Sequence, residues 1–277
     1  MEQDLDFLGL IILENRIKAE TKPVIRQLQN ANLRTIMVTG DHIQTAVSVA
    51  KECSMIDKTV VFVTIDPDDS HSPVFRSEAA STVIPVRGKL EYGQDNDDDG
   101  GPDYQFALDG ATYEAIRDIE DLCRKVCARG AVFARMSPVH KELLVGDLKE
   151  LGYYVGMCGD GANDCGALKA ANAGISLSQA EASVASPFTA REPNIGCVPQ
   201  LIREGRAALV TSFGIFKYMA AYSLTQYATV IQMYEIDSNL TDIEYLYIDL
   251  ALITTFAFFF GQTKAYEGST NDCRLVH

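Results

Sequence analysis

Two aspartates four residues apart, Asp160 and Asp164, stand in the string Gly159-Asp-Gly-Ala-Asn-Asp-Cys-Gly-Ala-Leu-Lys169. An apolar run, Tyr153-Tyr-Val-Gly-Met157, leads into it, and an Ala-rich helical pattern follows. That order reads as strand, acidic loop, helix. Asp160 then falls at the carboxyl end of the strand and Asp164 in the first turn beyond it. Two hard oxygen donors converging there suit Mg²⁺, which takes one or two carboxylates together with phosphate and water. Gly159 and Gly161 read as residues that let the backbone turn sharply beside an anion.

A second stretch offers complementary chemistry. Leu33-Arg-Thr-Ile-Met-Val-Thr39 reads as a strand ending at Gly40-Asp41. Thr39 supplies a hydroxyl, and the backbone N–H groups after it can meet a phosphoryl oxygen. The plainer alternative is a helix entry capped by Asp41. A third stretch, Ala131-Val-Phe-Ala134, reads as a strand, and Lys141 opens the helix beyond it. An ammonium there can neutralise phosphate and aspartate charge.

The elements that position these groups alternate. Phe7–Leu13 is one apolar strand, and Glu14–Asn30 carries Ile17, Val24, Ile25 and Leu28 at helical spacing. His42–Cys53 is a second helix, with Ile43, Ala46, Val47 and Ala50 on one face. Further strands are expected at Val60–Thr64, Tyr104–Leu108 and Gly174–Leu177, with helices over about 112–128, at Leu168–Ala173 and from Glu181. Strand, helix, strand, motif, helix is the rhythm of an α/β doubly wound parallel sheet. Ligands in such sheets bind outside the carboxyl ends of the strands, so Thr39 and Asp160 are expected to face one pocket. Between Asp66 and Asp103 the pattern dissolves into ten acids, three bases and accumulated Ser, Pro and Gly. This is expected to be mostly a flexible insert (65–104). Its Asp-rich run lacks the spacing and closing Glu of an EF-hand.

The formal charge of −14 argues against nucleic acid as a partner. Seven cysteines form no CxxC pair, and Cys123 with Cys127 is helical spacing. They read as reduced, mostly buried thiols of a cytosolic domain. The acidic opening Met1-Glu-Gln-Asp-Leu-Asp does not read as a secretory signal.

From Ala207 the character changes. Two stretches, about 218–236 and 243–261, are apolar enough to span a membrane. Gly205–Tyr234 reads as one helix running from the preceding domain into the first span. The link between the spans is short and acidic, with Glu235, Asp237, Asp242 and Glu244. Bases cluster outside, at Arg191, Arg203, Arg206, Lys217, Lys264 and Arg274. The positive-inside rule then places residues 1–217 and the C-terminus in the cytosol. Asp249 lies inside the second span, where a carboxylate is costly and usually functional. Tyr222, Gln226, Tyr227 and Gln232 add polar groups in the first. An acid with amides and aromatic faces would bind a chain of ammoniums. The alternative is that these groups hold helices together. Asn239-Leu-Thr241 matches a glycosylation sequon, in a tight loop.

Gly159-Asp-Gly-Ala-Asn-Asp-Cys-Gly-Ala-Leu-Lys-Ala-Ala171 resembles the hinge motif of P-type ATPases, members of the haloacid-dehalogenase-like superfamily. Met37-Val-Thr-Gly-Asp41 resembles their TGD motif, and Phe133-Ala-Arg-Met-Ser-Pro-Val-His-Lys141 their FAR…K motif. Gly174 to Phe188 is similar to the type V branch B transporters, linked to polyamine export from late endosomes and lysosomes. The resemblance covers nearly the whole chain except about 65–104. It implies a partial phosphorylation domain over 1–204 and a transmembrane hairpin over 205–277. It implies Mg²⁺ on Asp160, with Asp164 and Asn163 organising that loop. It implies phosphoryl contacts from Thr39, Gly40 and Lys141, with Asp41 a further catalytic residue of the same motif. ATP, membrane lipid and a transported polyamine or other cation are the implied partners.

The family's phosphorylated aspartate sits in Asp-Lys-Thr-Gly-Thr, and no such motif is present. Asp57-Lys58-Thr59 precedes a strand instead of ending one. Asp4-Leu-Asp6 has no apolar strand leading into it, and Asp109-Gly-Ala-Thr112 comes in the wrong order. The expectation is therefore a fragment of a pump, inactive alone. The alternatives are a truncated membrane protein that binds remaining pump segments or a full-length pump, and a phosphatase of the same superfamily.

Overall fold

The computed structural model describes residues 16–65, 73–77, 83–84, 104–179 and 182–262. The expected strand Phe7–Leu13, Asp4–Asp6, most of the acidic insert, Lys264 and Arg274 lie outside them. The chain divides into two units, 1–196 and 197–277.

In the first unit, α1 (Thr21–Asn30), β1 (Met37–Val38), α2 (Ile43–Glu52) and β2 (Thr59–Ile65) follow the expected order. Then come β3 (Pro73–Ser77), β4 (Val83–Ile84), β5 (Tyr104–Asp109), α3 (Gly110–Arg117), α4 (Glu120–Arg129) and β6 (Gly130–Ala134). The unit closes with α5 (Pro138–Glu150), β7 (Gly156–Gly159), α6 (Cys165–Ala170), β8 (Ala173–Ser176) and β9 (Phe188–Thr189).

The strands form two sheets, of order β1-β6-β5-β2-β3-β4 and β7-β8-β9. All pairings of β1, β6, β5 and β2 with one another are parallel, as are those within the second sheet. The architecture is thus the expected parallel-rich α/β kind, with its strands divided between two sheets. The segment read as an insert contributes structure too. Pro73-Val-Phe-Arg-Ser77 alternates its side chains and pairs antiparallel with β2, burying Phe75. Burial of one face suffices to order it inside an otherwise polar stretch.

The first sheet is covered on both faces, as parallel sheets are. Because successive side chains point oppositely, Val61, Val63, Phe106, Leu108 and Phe133 pack with α3, α4 and α5. Val60, Ala107, Val132 and Ala134 pack with Ala46, Val47 and Ala50 of α2. Every residue of β6 is buried. Tyr113 is fully buried, and its hydroxyl donates to Asp147 Oδ2 at 2.5 Å. Burial and that bond to a carboxylate push the phenol above its ordinary value, so it stays a donor.

Local boundaries depart from periodicity where caps or contacts intervene. The single helix expected over 112–128 is two helices, broken at Asp118–Ile119, where Ile119 leaves helical geometry (φ −109°, ψ 85°). The break lets α4 lay Cys123, Val126 and Cys127 on the core. Asp109, weighed as a nucleophile, instead caps α3, accepting from the Thr112 N–H at 2.9 Å. The helix expected from Glu181 is only a 3₁₀ turn at Ala182–Ala185, followed by β9.

In the second unit, α7 (Cys197–Glu235) is one unbroken helix of 39 residues. At 1.5 Å per residue it is about 58 Å long, roughly twice the hydrocarbon thickness of a bilayer. The second helical stretch, Asp242–Phe260, comprises α8 (Asp242–Tyr247), a π-helical turn Ile248–Ile253 and α9 (Thr254–Phe260). Both stretches are long and apolar enough to cross a membrane, and neither buries its apolar window within the chain. Thr241 of the sequon caps α8 in a reciprocal pair with Glu244.

Gly110 sits where a Cβ would lie 2.5 Å from the Arg135 carbonyl oxygen and 2.8 Å from His140 Nδ1. Backbone cannot yield as a flexible side chain would. Gly110→Ala is expected to destabilise the first unit by about 1–3 kcal/mol, read as a shifted urea midpoint in far-ultraviolet circular dichroism of the detergent-solubilised chain.

Candidate functional site

Thr39 follows the last residue of β1, and its N–H continues the β1–β6 ladder to the Phe133 carbonyl at 2.9 Å. Its hydroxyl donates to Asp41 Oδ2 at 3.0 Å and accepts from the Asp41 N–H at 3.1 Å. The capping of α2, which the plainer alternative gave to Asp41, falls to His42, whose Nδ1 accepts from the Gln44 N–H. A Cβ on Gly40 would meet nothing within 4 Å, so the space beside that backbone is open.

The turn after β6 is tied to this loop. The Arg135 N–H donates to the Asp41 carbonyl and the Met136 N–H to the Thr39 carbonyl, both at 3.0 Å. Arg135 takes φ +46°, a left-handed conformation that is costly for a side chain of this size. Ser137 then caps α5, accepting from the His140 N–H at 3.1 Å, and Pro138 opens the helix. Lys141 therefore sits within the first turn instead of at the start.

Lys141 Nζ meets Asp164 Oδ1 at 2.7 Å, with the two side chains 13% and 11% exposed. Asp164 folds back over the end of β7, since a Cβ on Gly159 would come within 2.6 Å of its other oxygen. Neither Gly159 nor Gly161 has positive φ, so the expected glycine-dependent turn is not how this loop is built. Gly159 instead makes room for the carboxylate of Asp164. Ala162–Asp164 forms a 3₁₀ turn, and Asp160 and Asn163 are exposed beside it. Gly166 completes the fit, with Glu142 of α5 where its Cβ would be.

Contacts thus run from Thr39–Asp41 through Arg135–Met136 and α5 to Lys141 and Asp164. All three sequence motifs contribute to one connected set. The donors fit Mg²⁺: the Asp160 carboxylate stands exposed at the carboxyl end of β7, and Asp164 retains an oxygen outside its ion pair. Asp160 and Asp164 would hold the ion, which when bound supplies positive charge against phosphate.

The second unit carries its own polar cluster. The Tyr222 hydroxyl donates to Asp249 Oδ1 between the two helical stretches. Beside them a cavity of about 510 Å³ is lined by Tyr218, Tyr222, Gln226, Thr229, Tyr245 and Phe256, among others. Tyr227 is 68% exposed and lies off this face. Five residues beyond Tyr222 it is rotated about 140° around the helix. Sequence reading missed the π-helical turn that contains Asp249, a feature frequent at functional sites.

No protein-family model matches the chain. Among curated proteins it is 48% identical over 284 residues to polyamine-transporting ATPase 13A3 of Mus musculus, covering 96% of this chain and 23% of that protein. It is 46% identical over 280 residues to probable cation-transporting ATPase 13A4 of Homo sapiens, with the same coverage. The chain is homologous to a segment of type V P-type ATPases. Probable cation-transporting ATPase catp-6 of Caenorhabditis elegans is 44% identical over 319 residues, covering all of this chain. The chain spans 23% to 24% of the length of these relatives. With the two apolar helices, the homology makes this a membrane protein.

Removing one partner of the Lys141–Asp164 pair strands a largely buried charge. Lys141→Met is expected to cost about 3–5 kcal/mol. Lys141→Met with Asp164→Leu is expected to recover most of that, giving a coupling of about 3 kcal/mol or more in a double-mutant cycle of urea unfolding.

Proposed function

We propose that this chain is a segment of an ATP-driven type V branch B transporter that moves a polyamine or another cation. Its first unit supplies the Mg²⁺-binding and phosphoryl-contacting groups, and its second supplies two membrane spans. The connected contacts from Thr39 to Asp164 carry this reading, because they gather hydroxyl, backbone N–H, ammonium and carboxylate groups from three motifs. In the complete pump, Asp160 and Asp164 hold Mg²⁺, with Asn163 shaping their loop. Thr39, the open backbone at Gly40 and the Lys141 ammonium contact the transferred phosphoryl group. Asp41 orients Thr39 through the hydrogen bond between them. The aspartate that accepts phosphate from ATP comes from outside these motifs.

The reading is tested in a full-length relative at the position aligned with Asp160. Asp→Asn there is expected to lower Mg²⁺-dependent ATP turnover about 10²–10³-fold, the loss typical of one charge-stabilising group. Unchanged turnover would overturn the assignment.

In the second unit, Asp249, Tyr222 and Gln226 supply a carboxylate, an aromatic face and an amide to a cationic substrate. The pump resides in late endosomes or lysosomes, with residues 1–217 and the C-terminus on the cytosolic side. The homologous Asp249→Asn substitution is expected to weaken polyamine-stimulated turnover through KM by about tenfold or more, the loss of a desolvated charge pair. An unchanged KM would leave Asp249 a packing residue.

A further inference from the structure

A third polar cluster lies in the first unit, on elements that the phosphoryl-site reading uses only as scaffold. Cys123 and Cys127 sit one turn apart on α4 and face α5. Their sulfurs are 3.9 Å apart, and Cys123 Sγ is 3.8 Å from Asp147 Oδ2 of α5. The three ligand atoms all lie within 4.8 Å of one another. We propose that Cys123, Cys127 and Asp147 form a binding site for a thiophilic divalent cation of the zinc class, which clamps α4 to α5.

The spacing carries the argument. A tetrahedral ion bonded to sulfur at about 2.3 Å holds its two sulfurs about 3.8 Å apart, and a sulfur and a carboxylate oxygen about 3.5 Å apart. The separations of 3.9 Å between the sulfurs and 3.8 Å from Cys123 Sγ to Asp147 Oδ2 lie close to these values, and Cys127 Sγ is within 4.8 Å of the carboxylate, so a small side-chain adjustment closes the site. The two thiols are buried, at 8% and 0% exposure, so the site is shielded as a structural metal site requires. A cavity of about 150 Å³ adjoins all three side chains and is also lined by Arg117, Glu120, Arg124 and Glu150. The fourth ligand, a water, enters from that cavity.

Asp147 is oriented by hydrogen bonds, of which the one from Arg117 Nε to Oδ2 gives way to the bound cation while the others hold the carboxylate in place. Tyr113 donates to Oδ2 at 2.5 Å, while Arg117 donates through Nε to Oδ2 at 3.0 Å and through Nη2 to Oδ1 at 3.2 Å. The charges also close. Two thiolates and a carboxylate exceed a divalent cation by one negative charge, and Arg117 supplies one positive charge beside them. Lys141 lies six residues before Asp147 on the same helix, so the metal would stiffen the element that holds Asp164.

Co²⁺ titration of the full chain, reduced and in detergent, tests the site by absorption. One equivalent is expected to give the intense visible bands of tetrahedral Co²⁺ and a sulfur-to-cobalt charge-transfer band, both erased by Zn²⁺. The double substitution Cys123→Ser and Cys127→Ser is expected to abolish the charge-transfer band, while Cys158→Ser with Cys165→Ser leaves it intact. Tyr113→Phe keeps every ligand and is expected to weaken Co²⁺ binding about tenfold through the misoriented carboxylate. Absence of the band in the unsubstituted chain overturns the proposal without recourse to any variant. So does a band that survives loss of Cys123 and Cys127, or Co²⁺ affinity indifferent to Tyr113→Phe.

Discussion

The ion pair between Lys141 and Asp164 is the contact on which the rest of the site depends. Both side chains are largely withdrawn from water, so each charge needs the other. The pair fixes Asp164 over Gly159, and that leaves Asp160 as the carboxylate facing outward at the end of β7. Its other anchor is the start of α5, set by Ser137 and Pro138. That start is in turn fixed by the left-handed turn at Arg135 and its two hydrogen bonds to the Thr39–Asp41 loop. One electrostatic contact therefore joins the second sheet to a turn of the first.

Close approach is the second constraint. Alanines 46, 50, 107, 131 and 134 line the face between α2 and the first sheet, where larger side chains would force the helix away. Glycines do the same around the acidic loop. Gly159 admits the Asp164 carboxylate, Gly166 admits Glu142, and Gly174 admits the Leu168 carbonyl. The glycine-rich character of the motif thus reflects packing between backbone and side chains, with ordinary dihedrals at the loop glycines.

The second unit follows a different solvent logic. Apolar side chains such as Leu209, Phe213 and Phe258 face outward, and others, among them Leu252, Phe256 and Phe260, line the cavity beside the helical stretches, so the Tyr222–Asp249 hydrogen bond stands in apolar surroundings. An acid inside an apolar span must be satisfied locally. Asp249 meets that demand through Tyr222. The π-helical turn that contains it gives the helix an irregular stretch beside a cavity.

Much of this was determined by the sequence. Apolar runs of strand length separated by helical periodicity specify a parallel α/β fold, because only covered sheets bury such runs on both faces. The length and composition of the last segment specify two helical stretches long and apolar enough to cross a membrane. The motifs around Thr39, Lys141 and Asp160 were legible too, because each is a short contiguous string, and the phosphoryl role proposed for them rests on the resemblance of those strings to the family's motifs. Tertiary structure decided how those groups are used. Periodicity does not encode which carboxylate is neutralised by a lysine 23 residues away, so the different states of Asp160 and Asp164 emerged only from packing. Nor does it encode division into two sheets, ordering of β3 within an acidic stretch, or the convergence of two thiols with Asp147. Each of these depends on contacts between segments far apart in the chain, where burial and charge are set by neighbours that the local pattern does not name.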